Sequence, residues 1–212
     1  LYRQIIGQYE RELRKEEQQM DDRYREMVEY YTMWTHQIKT PIAAMHLLLQ
    51  EEETPVSKEL QGELFQVEQY VQMALQYLRM ERMNTDLVFE KQELDALIHQ
   101  AVRKYAPLFI RRKIALQYED VHCQILTDEK WLEFVLEQVL SNALKYTRKG
   151  KIKIYMDPQS PKTLVIEDTG IGIAPEDLPR VFERGYTGYN GRTDKRSTGI
   201  GLYLCRQQRI LA

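Results

Sequence analysis

The chain has 212 residues, enough for one large domain or two small ones. Its 30 Lys and Arg against 32 Asp and Glu give a formal charge of −2, which removes any overall electrostatic case for nucleic acid or an acidic membrane surface. Cys123 and Cys205 lie far apart, with no CxxC or Cys/His cluster, so they read as reduced core thiols rather than a disulfide or a zinc site.

The chain opens at Leu1, and no apolar run approaches the ~20 residues of a spanning helix, nor is there a signal-peptide pattern. It is therefore expected to be a soluble part of something longer. Residues 1 to about 53 have no Gly after Gly7 and no Pro before Pro41, and are rich in Glu, Arg, Gln and Met, which predicts one long helix. Ile6, Leu13, Met20, Met27 and Trp34 recur every seven residues, the seam of a parallel coiled coil. The other heptad core positions hold Tyr9, Glu16, Arg23 and Tyr30, so a solvated single helix stays open beside dimerisation. The apolar stripe continues at Ile38, Ile42, Met45 and Leu49, with a local bend expected at Pro41. His36 and Lys39 fall off it.

Thr54 followed by Pro55 reads as an N-cap and first helical residue. The second helix covers residues 57 to about 83, with Leu60, Leu64, Val67, Val71, Ala74 and Leu78 spaced by fours and threes. Two antiparallel helices bury little alone, and pairing two hairpins into a four-helix bundle covers both stripes. From about Asn84 the pattern changes. Strands are expected at Leu87–Phe89, Ile114–Tyr118, Cys123–Leu126, Lys151–Met156 and Thr163–Glu167, with helices at Glu93–Ala106 and Glu129–Thr147. This predicts an α+β domain with helices on one face of a sheet.

The chemistry-bearing motifs gather in that second region. Asp168-Thr169-Gly170-Ile171-Gly172 follows an apolar strand, and Thr198-Gly199-Ile200-Gly201-Leu202 comes about thirty residues later. Glycines let backbone N–H groups approach phosphate closely, and a helix N-terminus after such a loop favours an anion. Either motif alone is a common turn. Upstream, Asn142, Lys145 and Tyr146 share one helical patch, offering an Mg²⁺-ligating amide, a cation for phosphate and an aromatic ring. A buried face of Val135, Leu136, Val139, Leu140 and Leu144 with a polar rim is the alternative reading of that helix. Asp168 ends an apolar strand, where a carboxylate needs a partner; an adenine amino group is one. Residues 174–196 carry Arg180, Arg184, Arg192, Lys195 and Arg196 with Gly185, Gly188 and Gly191, which fits a lid over phosphates or a solvated loop.

Together the motifs resemble the sensor histidine kinases of two-component systems, over almost the whole chain. Trp34-Thr35-His36-Gln37-Ile38-Lys39-Thr40-Pro41 resembles their phosphoacceptor box, and Asn142 with Lys145-Tyr146 their Asn box. Asp168-Thr169-Gly170-Ile171-Gly172 resembles the first Gly box, Phe182-Glu183-Arg184-Gly185 the Phe box, and Thr198-Gly199-Ile200-Gly201 the second Gly box. The box around His36 is most similar to small Firmicute intramembrane-sensing kinases that pair with antimicrobial-peptide ABC transporters.

The resemblance implies a signalling helix at 1–30, a dimerisation and histidine-phosphotransfer domain at 31–83, and a gyrase-like α/β sandwich ATP-binding domain at 84–212 that lacks its last strands. It implies autophosphorylation of His36 by ATP and transfer to an aspartate of a response regulator. The catalytic set would be His36, Gln37, Lys39 and Thr40, with Thr40 serving a phosphatase reaction on that aspartyl phosphate. Asn142 would coordinate Mg²⁺, Lys145 contact phosphate, Tyr146 line the pocket, Asp168 hold adenine and Arg184 reach the γ-phosphate. Gly170, Gly172, Thr198, Gly199, Gly201 and Leu202 would complete the ATP site. The expected partners are a second copy, a response regulator and, through an upstream region, a membrane transporter, with no nucleic acid; the expected place is the cytoplasmic side of a bacterial cell membrane.

Two substitutions depart from the family pattern. Gln37 stands where most relatives have Glu or Asp and cannot serve as a carboxylate base, which slows transfer to a neutral imidazole rather than abolishing it. Gln138 stands where gyrase-type hydrolases have a water-activating Glu, which favours a kinase over a stand-alone ATPase. A nucleotide-binding scaffold without autokinase activity is the other alternative. His46, His99 and His122 occur singly and read as surface or rim residues.

Overall fold

A computed structural model describes residues 2–51, 54–80, 88–160, 162–188 and 198–208. The chain divides into two compact units, Leu1–Arg82 and Met83–Ala212.

The first unit is a helical hairpin. Helix α1 runs Tyr2–Gln50 without interruption, through Pro41. Pro41 lacks the N–H that would bond the Gln37 carbonyl, so the turn after His36 is held more loosely than its neighbours. Thr40 Oγ1 donates to the His36 carbonyl at 3.4 Å within that turn. Helix α2, Pro55–Met80, starts where the Thr-Pro pair places it. Thr54 and Ser57 cap it reciprocally: the Ser57 N–H donates to Thr54 Oγ1 at 3.0 Å and the Thr54 N–H to Ser57 Oγ at 2.9 Å. Gln61 Nε2 crosses the turn to donate to the Leu49 carbonyl at 3.0 Å, closing one orphan acceptor at the end of α1. At the other end of α2, Tyr24 OH donates to the Leu78 carbonyl.

The hairpin buries Ile42, Leu64 and Leu75 with Thr35 and Gln76, while Ile38, Leu49, Val71 and Leu78 are half-buried. The rest of the predicted stripes stays in solvent: Leu60 is 50% exposed, Val67 45% and Met45 43%. Along the heptad seam Ile6, Leu13, Met20 and Trp34 are also exposed. Among the described residues no helix is long and apolar enough to cross a membrane.

The second unit orders as β1 (Glu90–Glu93), α3 (Leu94–Arg112), β2 (Ile114–Tyr118), β3 (Gln124–Thr127), α4 (Glu129–Tyr146), β4 (Gly150–Met156), β5 (Leu164–Asp168) and α5 (Gly201–Gln208). Strands form two sheets rather than the single one expected. β1 pairs antiparallel with β3, Glu90 opposite Thr127, while β4 lies between β2, parallel to it, and β5, antiparallel. Ile152 and Ile154 of β4 are fully buried, and α3 packs against α4 with Leu97, Ile98, Ala101 and Tyr105 of α3 and Phe134, Leu140 and Leu144 of α4 buried.

Two element boundaries differ from expectation for physical reasons. The first strand is not Leu87–Phe89: Val88 and Phe89 precede it, Leu87 falls outside the described residues, and the polar run Glu90–Glu93 pairs instead. The Val88 N–H is taken by the Asp128 side chain at 3.0 Å, so it is withheld from any ladder. Helix α3 does not stop at Ala106 but continues through Pro107 to Arg112. Pro107 and Arg103 are both exposed, so water can satisfy the carbonyl that loses its helical donor. In this unit the strand Ile114–Tyr118 falls where expected, and the other strand and helix ends differ by at most one residue, within the spread of boundary assignment.

Asp95, in the first turn of α3, ties the helix to the strands beside it. Tyr118 OH donates to its Oδ1, as does the Val121 N–H at 3.0 Å, and these bonds hold its carboxyl below the ordinary carboxylate range. His99 Nε2 lies 3.4 Å from its other oxygen, and its ring stacks edge-on against Tyr118. A carboxyl that titrates lower when folded contributes stability above the ordinary carboxylate range and loses it as pH falls through its own lowered value. Asp95→Asn is therefore expected to lower the melting temperature at pH 7, by thermal denaturation, with the gap from the parent closing below about pH 4.

Candidate functional site

The site is built at the C-terminal end of α4. Asp128 caps the start of this helix by accepting the Trp131 N–H at 3.0 Å. Phe134, Leu136, Leu140, Ala143 and Leu144 sink one side of it into the core. Glu137 is also buried, and its carboxyl takes Lys104 Nζ of α3 at 2.5 Å. Burial pushes that carboxyl up, while the Lys104 ammonium acts in the opposite direction. At the far end Arg112 Nη1 donates to the Leu144 carbonyl and, at 3.3 Å, to that of Lys145. A cation on the last carbonyls satisfies orphan acceptors and complements the helix dipole.

That anchored end presents Asn142, Lys145 and Tyr146 side by side, each half-buried. Lys145 Nζ stands 5.3 Å from the centroid of the Tyr146 ring, within cation–π range. The first glycine loop docks directly on this end. The Ile171 N–H donates to the Tyr146 carbonyl at 3.2 Å, and the Gly170 N–H to Asp168 Oδ1 at 2.8 Å. A Cβ at Gly170 would sit 2.6 Å from Asp168 Oδ1 and 2.7 Å from the Tyr146 oxygen, so only glycine fits. Asp168 closes β5 with its carboxylate exposed, and Thr147 Oγ1 approaches the same Oδ1 at 3.4 Å. Gly172 follows with φ +69° and open space around it.

The Phe-box and second glycine motifs also meet. The Gly185 N–H donates to the Gly199 carbonyl at 3.0 Å, and a Cβ at Gly199, where φ is +65°, would collide with Gly185 and Tyr186 backbone at 2.4–2.7 Å. Tyr186 OH donates to Asp177 Oδ1 at 2.6 Å, and Arg180 lies 4.2 Å over the Tyr186 ring. Thr198 and Arg184 are exposed, Gly201 opens α5, and Leu202 is half-buried just inside it. Gly191, Arg192, Lys195 and Arg196 of the expected lid lie outside the described residues.

In the hairpin unit, His36, Gln37, Lys39 and Thr40 are all exposed on α1. They flank buried Thr35 and Ile42, which turn inward. The His36 imidazole has no partner among the described residues. His46 instead lies 3.4 Å from Glu68 of α2, half-buried. Three supporting residues went unread in the sequence: Arg112, Thr147 and Gly150. The last has φ +130° and lies against the Thr169 hydroxyl, which in turn takes the Lys151 N–H at 3.0 Å. Arg112 lies beyond the expected helix end at Ala106, and the only sequence signal for Thr147 is that it follows Lys145-Tyr146.

The grouping of α4, the first glycine loop and α5 is matched by a family model described as histidine kinase-, DNA gyrase B-, and HSP90-like ATPase, over residues 127–211. Beyond the ATPase domain, the chain is similar to sensor histidine kinases along most of its length, as its motifs indicate. It is 38% identical over 176 residues to the sensor protein BceS of Halalkalibacterium halodurans, covering 82% of this chain and 53% of that one. It is 33% identical over 210 residues to the sensor histidine kinase YxdK of Bacillus subtilis, covering 96% and 63%. With the sensor histidine kinase GraS of Staphylococcus haemolyticus the identity is 36% over 207 residues, 96% and 59%. The chain thus spans between about half and two thirds of the length of these relatives.

Among solved structures, full-length ShkA in complex with AMPPNP superposes with a TM-score of 0.57 at 21% identity over 84% of this chain and 40% of that one. The Acinetobacter baumannii histidine kinase AdeS gives 0.51 at 22%, over 82% and 86%. These likenesses concern the fold: a helical N-terminal part followed by a gyrase-like α/β ATPase domain.

The crowding at Gly170 gives a direct check on this ATPase-family loop. Gly170→Ala must push the loop off Tyr146 or turn the Asp168 carboxylate, at a cost of about 1–3 kcal/mol. Calorimetric titration with Mg·ATP is expected to show binding weakened roughly tenfold or more, the equivalent of at least ~1.4 kcal/mol. Gly172→Ala, with open space but positive φ, should weaken it less.

Proposed function

We propose that this chain is the cytoplasmic portion of a membrane-attached sensor histidine kinase that phosphorylates His36 from ATP and passes the phosphoryl group to an aspartate of a response regulator. One observation carries the reading: an ATPase-family domain and an exposed histidine in a His-Gln-Ile-Lys-Thr-Pro box occur in one chain.

In this reading Oδ2 of Asp168 accepts from the adenine amino group, since both hydrogen bonds it makes with described residues fall on Oδ1. Tyr146 walls the pocket, and Lys145 and Arg184 balance phosphate charge. Asn142 offers an amide oxygen, a hard donor suited to Mg²⁺. Gly170, Gly172, Gly199 and Gly201 keep the backbone close enough for N–H groups to reach phosphate oxygens, with Thr198 and Leu202 at the start of α5. Held there by Asn142, Mg²⁺ would supply charge neutralisation on the triphosphate.

The His36 ring nitrogen attacks the γ-phosphorus, the bond to the β-bridging oxygen breaks, and ADP leaves. With Gln37 beside it rather than a carboxylate, the ring proton passes to water, and positioning and electrostatics do most of the work. Lys39 adds positive charge one turn from the acceptor. Thr40 orients the water that hydrolyses the regulator's aspartyl phosphate to aspartate and inorganic phosphate, a separate phosphatase reaction.

The protein acts as a homodimer. Exposed Met45, Leu60 and Val67 supply the apolar surface that a second hairpin covers in a four-helix bundle, and the seam from Ile6 to Trp34 continues it as a coiled coil. An upstream region links this helix to membrane spans and a transporter partner, whose signal reaches the hairpin as rotation or bending of α1.

Incubation with γ-labelled ATP and Mg²⁺ tests the phosphoacceptor. Acid-labile label is expected on the parent chain and only background on His36→Gln, with nucleotide binding retained in both. Undiminished labelling of His36→Gln, or no label on a parent that binds nucleotide, refutes the assignment.

A further inference from the structure

Thr147 is the first residue beyond α4, and its side chain is fully buried at 0% exposure although it carries a hydroxyl. Its N–H still serves the helix, donating to the Ala143 carbonyl at 3.1 Å, while its φ of −94° and ψ of 111° turn the chain out of helical geometry. The turn sends the hydroxyl toward β5, where it reaches Asp168 Oδ1 at 3.4 Å. A buried hydroxyl is retained against desolvation only when it has a partner, and here the partner among the described residues is this carboxylate. The second donor to the same oxygen, the Gly170 N–H at 2.8 Å, comes from the glycine loop. Two donors arriving from different elements fix the plane of a carboxylate, and the oxygen they leave is aimed by them.

We infer that Thr147 is a positioning residue for base recognition: its hydroxyl locks the Asp168 carboxylate so that Oδ2 selects a purine bearing a 6-amino donor and rejects one bearing a 6-oxo acceptor. The inference rests on the reading of Asp168 as the adenine-binding group. It adds that the selectivity is set from α4, by a side chain that does not touch the nucleotide. A carboxylate free to swing would hydrogen bond the amino group less often and repel an oxo group less strictly, so the loss falls on ATP and not on ITP.

The experiment is equilibrium binding of Mg·ATP and Mg·ITP to the full 212-residue chain and to Thr147→Val, Thr147→Ser and Asp168→Asn. The parent is expected to prefer ATP by at least about tenfold, since a site that hydrogen bonds a substrate group strongly rejects the analogue lacking it. Thr147→Val, equal in shape and without the hydroxyl, should weaken ATP by roughly three- to tenfold, as for one lost hydrogen bond, and leave ITP unchanged. Thr147→Ser should keep the parent's preference. Equal weakening of ATP and ITP in Thr147→Val, no change in either, or the same loss in Thr147→Ser overturns the positioning role. Asp168→Asn separates the two levels: its amide can donate to a 6-oxo group, so the preference should collapse or reverse. A preference untouched by Asp168→Asn defeats the adenine reading itself, whatever Thr147 does.

Discussion

The ATPase unit hinges on a contact with no room for a side chain, where Gly170 lies between the Asp168 carboxylate and the Tyr146 carbonyl. Everything around it serves to bring a strand end, a helix end and a loop to one point. β5 delivers Asp168 because it pairs with β4, with Asp168 opposite buried Ile152. α4 delivers Asn142, Lys145 and Tyr146 because its inner face is committed to the core. The loop can then join them through backbone groups alone, the Ile171 N–H on Tyr146 and the Gly170 N–H on Asp168. A junction made of backbone and short polar groups leaves little rotamer freedom to lose when a ligand arrives, which is how a site gains affinity by preorganisation.

The helix end at that junction is held from behind by α3. Arg112 satisfies the last carbonyls of α4 and Lys104 pairs with buried Glu137 one and a half turns before Asn142. Removing Lys104 would leave the buried Glu137 carboxyl uncompensated, which is costly. The hairpin unit shows the opposite arrangement around His36. Its histidine box is exposed, and Pro41 removes the helical bond that the Gln37 carbonyl would receive, leaving a turn that can adapt to a partner. Rigid groups thus surround the glycine motifs and looser ones His36.

How much of this the sequence discloses depends on the range of the interaction. Local rules carried far: Thr54-Pro55 starts α2, the four-and-three spacing marks its apolar stripe, and the glycine motifs fall in loops next to Asp168 and α5. Helix α3 runs past the expected end at Ala106 because Pro107 lies on an exposed face, where water replaces the missing bond. The apolar Leu87–Phe89 does not open the first strand because the Asp128 side chain takes the Val88 N–H out of the ladder. The links that hold the site were invisible in principle: Arg112 to Leu144 and Lys145, Thr147 to Asp168, and Asp95 to Tyr118 join residues 21 to 33 apart in the chain. Spacing alone cannot show which of many hydroxyls and bases meet. Similarly, His99 read as solitary, although the fold sets it beside Asp95 and Tyr118.

The central claim is that nucleotide binds at the meeting of α4 with the first glycine loop. Titration of Mg·ATP into uniformly ¹⁵N-labelled chain, followed by backbone and side-chain amide shifts, addresses it directly. The largest changes are predicted at the Gly170, Ile171 and Gly172 amides and the Asn142 side chain. Saturable ATP binding that leaves these four signals in place would contradict it.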